Sequence, residues 1–367
     1  RMLKGSAKIQ FTVCNFAPIG MKIENNFYEL FAQLRDAKRP FVLYRLPNTN
    51  TLICIQQDDS RHHITASLKE EGFVFAPFIR TNQFTYIPNH HVAQVVIPEP
   101  KARTNTPTAT DTTAQKTYYN DLVADAITAI GKGAIQKVVV SRLHKQEFKQ
   151  NIAESFVRLI NAYTNAMVYY WSHPQTGIWM GATPETLLNL EGGKCKTMAL
   201  AGTLAHEDNK RPKWSSKEVN EQQMVTDFIK QQLELLYPKD AIKPSETYTK
   251  RAGNLLHLCA DFEFGINEVA LLDLVQSLHP TPAVSGVPVT KSLEFIKAFE
   301  THERKYYAGF LGPINKEAAH IYVNLRCAAV EKSQLTVYVG GGITSESNIA
   351  AEWEESQCKA ETLLNVI

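Results

Sequence analysis

Three segments of the chain carry apolar residues at helical spacing, which predicts amphipathic helices. These segments are 118–133, 215–236 and 348–367. The second opens on Ser215 and Glu218, which fit the S-x-x-E pattern of a capping box at a helix N-terminus. Each helix is therefore expected to pack one face against a core and to leave the other face polar.

Short apolar runs between turn residues indicate strands in much of the remaining chain. The predicted strands are 40–46, 51–56, 137–142, 167–171, 319–330 and 335–342. No segment repeats at a fixed period, so a solenoid or propeller is not indicated. The mixture of elements predicts a fold of the α/β (α+β) class without defining its topology.

Residues 98–117 differ in composition from the rest of the chain. They are rich in Pro and Thr and lack apolar periodicity, which is typical of a linker or a mobile loop. This segment separates residues 1–97 from the longer region 118–367, where helical and strand patterns resume.

Composition restricts the class of protein and of partner. The 367 residues are 44% hydrophobic and 21% charged, as in ordinary globular proteins, and the net charge is only +2. This balance gives no electrostatic reason to expect nucleic acid or an anionic membrane, so we expect a small-molecule partner. Neither a membrane span nor a signal peptide is indicated. A cytoplasmic location with reduced thiols is expected, because no CxxC pair occurs among the cysteines at positions 14, 54, 195, 259, 327 and 358.

Two predicted helices carry glutamates three residues apart. Glu218 and Glu221 form one pair, Glu352 and Glu355 form the other, and Lys359 follows four residues after Glu355. Such pairs are usually part of a solvated helix face. Like charges one turn apart repel, however, and two such rows could share a cation. Oxygen-only ligands would favour Mg²⁺ or Ca²⁺ over zinc or copper.

Two single residues have two interpretations each. Lys137 directly precedes three valines, so it is either a strand-end lysine that reaches the surface or a lysine held in a cleft. Strand alternation puts Lys137, Val139 and Ser141 on one face but does not identify that face. His257, in the apolar run "LLHL", is either a core histidine or a site residue.

Ten segments, in order from about residue 118 to the C-terminus, together resemble the chorismate-utilising enzymes and, within them, the isochorismate synthases. They are "KVVVSR" (137–142), "GATPETLL" (181–188), "ALAGT" (199–203), "SKEVNEQQMV" (216–225), "LLHL" (255–258), "LHPTPAVSGVP" (278–288), "YYAGFLGP" (306–313), "NLRCA" (324–328), "VGGGI" (339–343) and "EWEESQCK" (352–359).

The resemblance implies a fold and a reaction. The fold is a single α/β unit of large, mostly antiparallel sheets packed between helices, with the active site in a cleft. Residues 1–97 would be its variable N-terminal part, and 118–367 its chorismate-binding catalytic region. The reaction is the magnesium-dependent addition of water at C2 of chorismate with loss of the C4 hydroxyl. The product, isochorismate, would feed menaquinone or siderophore biosynthesis, and we expect a monomer or a weak dimer.

The resemblance also implies residue roles. The general base matches Lys137, and the general acid matches Glu185. Such an acid needs a raised pKa to hold its proton near neutrality. The metal ligands match Glu221 and Glu355, with Glu218 and Glu352 in support. The substrate-binding positions are Ala201, Gly202, Thr203, His257, Ala283, Arg326, Gly340, Gly341, Gly342 and Lys359.

Related activities differ at identifiable positions. Relatives that use ammonia, such as anthranilate synthase, lack the lysine that matches Lys137. Ala201 stands where aminodeoxychorismate synthase has a nucleophilic lysine. Pro282 and Ala283 differ from the salicylate synthase pattern, although salicylate synthase remains an alternative, as does a catalytically inactive homologue. Gln222 stands where the family often has His.

Overall fold

The computed structural model describes residues 22–101, 111–266 and 269–367. In these ranges no helix has both the length and the apolar character needed to cross a membrane. The α-helices of the described ranges are α1 (Phe27–Asp36), α2 (Thr113–Gly131), α3 (Ile152–Ala162), α4 (Ser216–Leu236), α5 (Leu271–Leu278), α6 (Val289–Phe299) and α7 (Ile349–Leu364).

The strands of the same ranges supply most of the framework. They are β1 (Lys22–Glu24), β2 (Phe41–Arg45), β3 (Leu52–Gln56), β4 (Ile64–Thr65), β5 (Gly72–Ala76), β6 (Phe84–Pro88), β7 (His91–Val95), β8 (Lys137–Glu147), β9 (Met167–His173), β10 (Gly177–Thr183), β11 (Thr186–Glu191), β12 (Lys194–Ala205), β13 (Lys243–Pro244), β14 (Tyr248–Ala252), β15 (Leu255–Gly265), β16 (Gly286–Val287), β17 (Phe310–Ile314), β18 (Ala318–Val323), β19 (Cys327–Glu331) and β20 (Gln334–Ile343).

These strands form two ten-stranded sheets. The first has the order β1-β7-β3-β2-β9-β10-β19-β20-β8-β16, and the second the order β13-β15-β12-β11-β18-β17-β5-β6-β4, with β14 also paired to β15. Every described pair is antiparallel except β1 with β7. The predicted class, with large and mostly antiparallel sheets, is confirmed. The segment before residue 98 belongs to both sheets, because β2 pairs with β9 and β5 pairs with β17.

Strand β9 shows how the core is divided. Trp171 points between the sheets, where its ring centroid lies 4.9 Å from that of Phe75 on β5. Tyr170 points the other way, 5.0 Å from Phe31 on α1 and 5.7 Å from Phe156 on α3. Each such pair contributes about 0.5–1.5 kcal/mol beyond area burial. Both faces of the strand are buried, which explains its continuous apolar sequence.

The segment predicted as a single strand at 319–330 is in fact two strands. Strand β18 belongs to the second sheet and β19 to the first, so the chain crosses between sheets at residues 324–326. Asn324 fixes the crossing, because its Oδ1 accepts from the Tyr169 hydroxyl at 2.7 Å and its Nδ2 donates to the Tyr306 carbonyl at 2.9 Å. Arg326 there has a φ of +48°. The single-strand prediction is wrong because both halves are buried and apolar, which conceals the break.

Helix α2 begins earlier than its apolar stripe indicated. Thr112 caps it, and Gln115 bonds back to the cap in a capping box. Residues 113–117, predicted as linker, are therefore helical, while 102–110 lie outside the described residues. Asp111, just before the cap, is tied to strand β8 by Arg142 at 3.0 Å and His144 at 2.6 Å.

The described cysteines all carry free thiols. They are Cys54, Cys195, Cys259, Cys327 and Cys358, while Cys14 falls outside the described ranges. This state agrees with the expectation of reduced thiols.

Candidate active site

A cleft of about 660 Å³, its open mouth included, is lined by residues from both sheets. The sequence-predicted residues that line it are Glu185, Ala201, Gly202, Thr203, Glu221, His257, Ala283, Arg326, Gly340, Gly342 and Lys359. Gly341 does not line it. A Cβ at that position would face the opposite side of β20, 2.9 Å from the Tyr119 hydroxyl and 3.1 Å from Oε2 of Glu352.

Lys137 is the first residue of β8 and is completely buried. The strand lies between β20 and the short β16. The Ser292 hydroxyl donates to the Lys137 carbonyl oxygen at 2.9 Å. Gly286 packs so closely that a Cβ there would lie 2.1 Å from the same oxygen. The alternative of a lysine that reaches the surface is therefore wrong.

The Lys137 ammonium meets Glu221 directly behind the cleft wall. Its Nζ lies 3.1 Å from Oε1 of Glu221, an ion-pair contact without hydrogen-bond alignment. Gly342 makes this contact sterically allowed. A Cβ at that glycine would lie 2.2 Å from the same carboxylate oxygen and 3.0 Å from Lys137 Cε. The glycine is thus required for the lysine and the carboxylate to approach each other.

Two further carboxylates, both on α7, are held by lysines. Oε1 of Glu352 accepts from Lys217 Nζ at 2.6 Å and from Ser347 Oγ at 2.7 Å, while its buried Oε2 has no hydrogen-bond partner. Burial, followed by the charge of Glu355, raises the pKa of Glu352. Lys359 Nζ lies 2.6 Å from Oε1 of Glu355. Burial opposes ionisation of Glu355, but Lys359 and Lys217 outweigh it and hold the pKa of that carboxyl below its usual value.

Glu218 is the fourth predicted metal ligand, and its carboxylate is engaged at the start of α4. Its Oε2 accepts from the Ser215 backbone N–H at 3.0 Å and also from the Ser215 hydroxyl, which confirms the predicted capping box. Across the ranges that the structure describes, no three Asp, Glu, His or Cys side chains converge as metal ligands. The other three predicted ligands, Glu221, Glu352 and Glu355, each contact one lysine. The magnesium ligand set stays a prediction.

Glu185 lies in the turn between β10 and β11 and is only 3% exposed. Its carbonyl oxygen accepts from the Val323 N–H at 3.0 Å, which anchors the turn to the second sheet. Burial raises the pKa of Glu185 to about 7, although Lys137, Lys250, Arg326 and Lys359 oppose the shift. A carboxyl group with this pKa holds its proton in a large share of molecules at neutral pH. The predicted rise is confirmed in direction.

His257 and Arg326 form a hydrogen-bonded pair in the cleft. Nδ1 of His257 lies 2.7 Å from the Gly202 carbonyl oxygen, which only accepts, so Nδ1 carries the proton. Nε2 is then free to accept from Arg326, 3.2 Å away, whose other terminal nitrogen donates to Thr362 Oγ1 at 2.8 Å. Burial, then Arg326, lowers the pKa of His257 to about 3. The imidazole is therefore neutral.

Gly202 has the backbone conformation that this pair requires. Strand β12 shifts its register against β15 between Ala201 and Leu204, as at a β-bulge. Gly202 has a φ of +69°, which an L side chain rarely adopts. The bulge turns the Gly202 carbonyl toward His257 and brings Thr203 to the cleft.

Gln222, the departure from the family pattern, is buried and bonded within its own helix. Its Nε2 donates to Thr226 Oγ1 at 2.8 Å, one turn along α4. It supports the helix that carries Glu221.

Sequence reasoning missed two lysines near the site. Lys217 could have been found from its spacing, because Glu221 follows four residues later on the same helix. Lys250 required a hairpin to be recognised. A turn at Gly253 and Asn254 joins β14 to β15 and pairs Lys250 with His257. A glycine with a φ of +63° in such a turn is the signal that was available.

Comparison with known proteins agrees with this fold. The family model described as "Chorismate binding enzyme" matches residues 63–367. The chain therefore belongs to the family of chorismate-binding enzymes.

Individual relatives refine the comparison. The chain is 30% identical over 265 residues to isochorismate synthase EntC of Escherichia coli, covering 69% of this chain and 67% of that protein. It is 27% identical over 271 residues to isochorismate synthase MenF of Haemophilus influenzae, covering 71% and 63%. The solved structure of DhbC from Bacillus anthracis superposes with a TM-score of 0.76 at 20% identity. It covers 92% of this chain and 99% of that chain. At this identity the superposition establishes the shared fold.

Proposed function

We propose that the protein is an isochorismate synthase, an isomerase that converts chorismate to isochorismate. One observation carries the proposal. A carboxyl group with a pKa of about 7 lines the cleft, and a fully buried lysine from a different element lies directly behind the cleft wall. An amine base and a protonated acid are the two groups that water addition and hydroxyl loss require. The names of the relatives support the same activity.

In this proposal Lys137 is the general base. To act as a base, the amine must first give up the proton of its ion pair with Glu221. It then takes a proton from a water molecule as the water oxygen bonds to C2 of chorismate. The ammonium that results faces Glu221 at 3.1 Å, so the new positive charge is stabilised as it forms. Full burial excludes bulk water from the lysine and restricts its motion.

Glu185 is the general acid. Its proton passes to the C4 hydroxyl, which leaves as water while the ring double bonds shift. One water enters and one leaves, so the composition of the substrate does not change. Because the acid acts in its protonated form, activity should decline as pH rises through its pKa.

Arg326 and Lys359 provide positive charge for the carboxylates of the substrate. Arg326 is held by Thr362 and His257, which leaves a pre-oriented guanidinium in the cleft wall. A guanidinium suits bidentate contact with a carboxylate. Lys359 donates to the Gly340 carbonyl at 2.9 Å and lines the same cleft.

Mg²⁺ is the metal that we propose for the site. Glu221 and Glu355 would hold it, with Glu218 and Glu352 in support. The donor set is entirely oxygen, as Mg²⁺ prefers, and the buried Oε2 of Glu352 lacks a hydrogen-bond partner. When bound, the ion would neutralise the acid cluster and polarise a substrate carboxylate.

Product analysis tests the proposal. The purified protein is incubated with chorismate and Mg²⁺, and the products are separated by chromatography. We expect isochorismate in equilibrium with chorismate, without release of pyruvate. Salicylate with pyruvate would assign the alternative lyase activity, and no turnover would indicate an inactive homologue. Isochorismate would serve menaquinone or catechol siderophore biosynthesis.

Replacement of the base tests the mechanism. Lys137→Ala should reduce kcat by a factor of about 100 to 10,000, the range expected for loss of a general base. Lys116→Ala is a matched control, because this lysine lies on α2 with its Nζ over the Trp353 ring rather than in the cleft. Unchanged turnover in Lys137→Ala would remove the lysine from the mechanism.

A further inference from the structure

A lysine that the proposed reaction does not use lies beside the proposed acid. Lys250 on β14 is directly paired with His257 on β15, so both side chains are on the same face of the second sheet. Its Nζ lies 3.3 Å from the carbonyl oxygen of Pro184, which immediately precedes Glu185 and lines the cleft. A second contact, also at 3.3 Å, is with Sδ of Met198.

The charge of Lys250 has no anionic partner of its own. The other lysines of this region pair with carboxylates, namely Lys137 with Glu221, Lys217 with Glu352 and Lys359 with Glu355. Within the described ranges, no carboxylate oxygen lies within 4.0 Å of Lys250 Nζ. Its contacts, a carbonyl and a thioether, leave its positive charge uncompensated. That charge therefore acts on its surroundings, which include the buried carboxyl group of Glu185.

We propose that Lys250 is a positioning residue of the active site, which holds the Pro184–Glu185 turn and sets the electrostatic environment of the Glu185 carboxyl group. This inference rests on the proposed role of Glu185 as the general acid. Four cations act electrostatically on that group. They belong to β8, β14, the crossing between β18 and β19, and α7. They are Lys137, Lys250, Arg326 and Lys359.

The inference has a consequence for the pH dependence of the reaction. Burial favours the protonated form of Glu185, and the four cations favour the ionised form. Removal of the Lys250 charge leaves burial less opposed, so the pKa of Glu185 should rise further. Activity declines when Glu185 ionises, and that decline should therefore occur at higher pH.

Three variants test the inference. Lys250→Met removes the charge and keeps the length of the side chain, while Lys250→Arg keeps the charge. Arg251→Met is the matched control, because Arg251 is the next residue on β14, is exposed and donates only to the Gly253 carbonyl among its described contacts. The pH profile of kcat is measured for each variant at saturating chorismate and Mg²⁺.

In the pH profile of kcat, we expect the alkaline decline of Lys250→Met to occur at a pH higher by about half a unit or more, because a nearby positive charge has been lost. The profiles of Lys250→Arg and Arg251→Met should coincide with wild type. An unmoved alkaline decline in Lys250→Met would overturn the inference. A rise in KM without movement of that decline would also overturn it, and would assign Lys250 to a substrate carboxylate instead.

A direct titration separates this inference from the proposed function. The infrared C=O band of protonated Glu185, identified by its loss in Glu185→Gln, is followed against pH without substrate. We expect its midpoint to rise in Lys250→Met, whether or not the protein turns over chorismate. An unchanged midpoint would contradict the role of Lys250. Absence of isochorismate from wild type would contradict the proposed function instead.

Discussion

Glu185→Gln replaces the buried carboxyl group of the cleft with a neutral amide of the same shape. Because the amide cannot donate the required proton to the leaving hydroxyl, kcat should fall by a factor of about 100 to 10,000. The same substitution should stabilise the fold at alkaline pH. Wild type must keep an ionised carboxylate in a buried position there, and the variant does not.

The pKa of Glu185 gives the size of this stabilisation. Its folded-state value of about 7 compares with an ordinary value of 4.5, so the folded chain binds the proton more tightly than the unfolded chain. Wild type therefore loses stability as pH rises from 4.5 to 7, by about 3 kcal/mol at about 1.4 kcal/mol per pH unit. Above pH 7 the loss is complete, and below pH 4.5 it is absent.

Urea unfolding of wild type and Glu185→Gln at about pH 5 and about pH 8.5 measures the effect. We expect the stability advantage of the variant to grow by about 2 kcal/mol between these conditions. Glu317→Gln is the control for an exposed glutamate, and its difference from wild type should stay near zero at both values. An advantage for Glu185→Gln that is equal at both pH values would refute the argument, since a buried group that titrates near 7 requires it to change.

Three further perturbations have defined outcomes. Gly342→Ala places a methyl group 2.2 Å from a Glu221 oxygen, so kcat/KM should fall at least about tenfold. The control Gly131→Ala places its methyl group in open space and should leave kcat/KM unchanged. Equal kcat/KM values for the two variants would contradict the close packing at Gly342. Asp111→Asn leaves Arg142 buried without its counter-ion and should lower the free energy of unfolding by about 3 kcal/mol, and a change below about 0.5 kcal/mol in urea unfolding would contradict this. Chelation with EDTA should abolish turnover until Mg²⁺ is restored, and full activity under EDTA would exclude the metal.

Helices α4 and α7 were predictable from sequence to within one residue at their N-termini and three at their C-termini. Each has an apolar stripe and an N-terminal cap, so local signals and tertiary packing agree. Helix α2 was placed too late, because Thr112 and Gln115 cap it within a Thr-rich segment that lacks apolar periodicity. The crossing between β18 and β19 was missed, since buried strands show no alternation at which a break could be recognised.

The resemblance identified most of the residues that line the cleft, but it did not show the contacts that these residues make with one another. Spacing placed Glu221 on a helix face, but only the fold shows that Gly342 brings its carboxylate to Lys137. The glycine run likewise concealed that Gly341 faces away from the cleft. The position of Lys250 beside His257 depends on the register between β14 and β15, which composition and helical periodicity do not reveal.

The origin of the product oxygen tests the central claim most directly. The protein is incubated with chorismate and Mg²⁺ in oxygen-18 water, and the isochorismate formed is analysed by mass spectrometry. If Lys137 activates water and Glu185 expels the C4 hydroxyl, each isochorismate gains one oxygen-18 atom, at the C2 hydroxyl, and Lys137→Ala forms almost none. Unlabelled isochorismate would contradict water addition, and release of pyruvate would contradict the assignment as an isomerase.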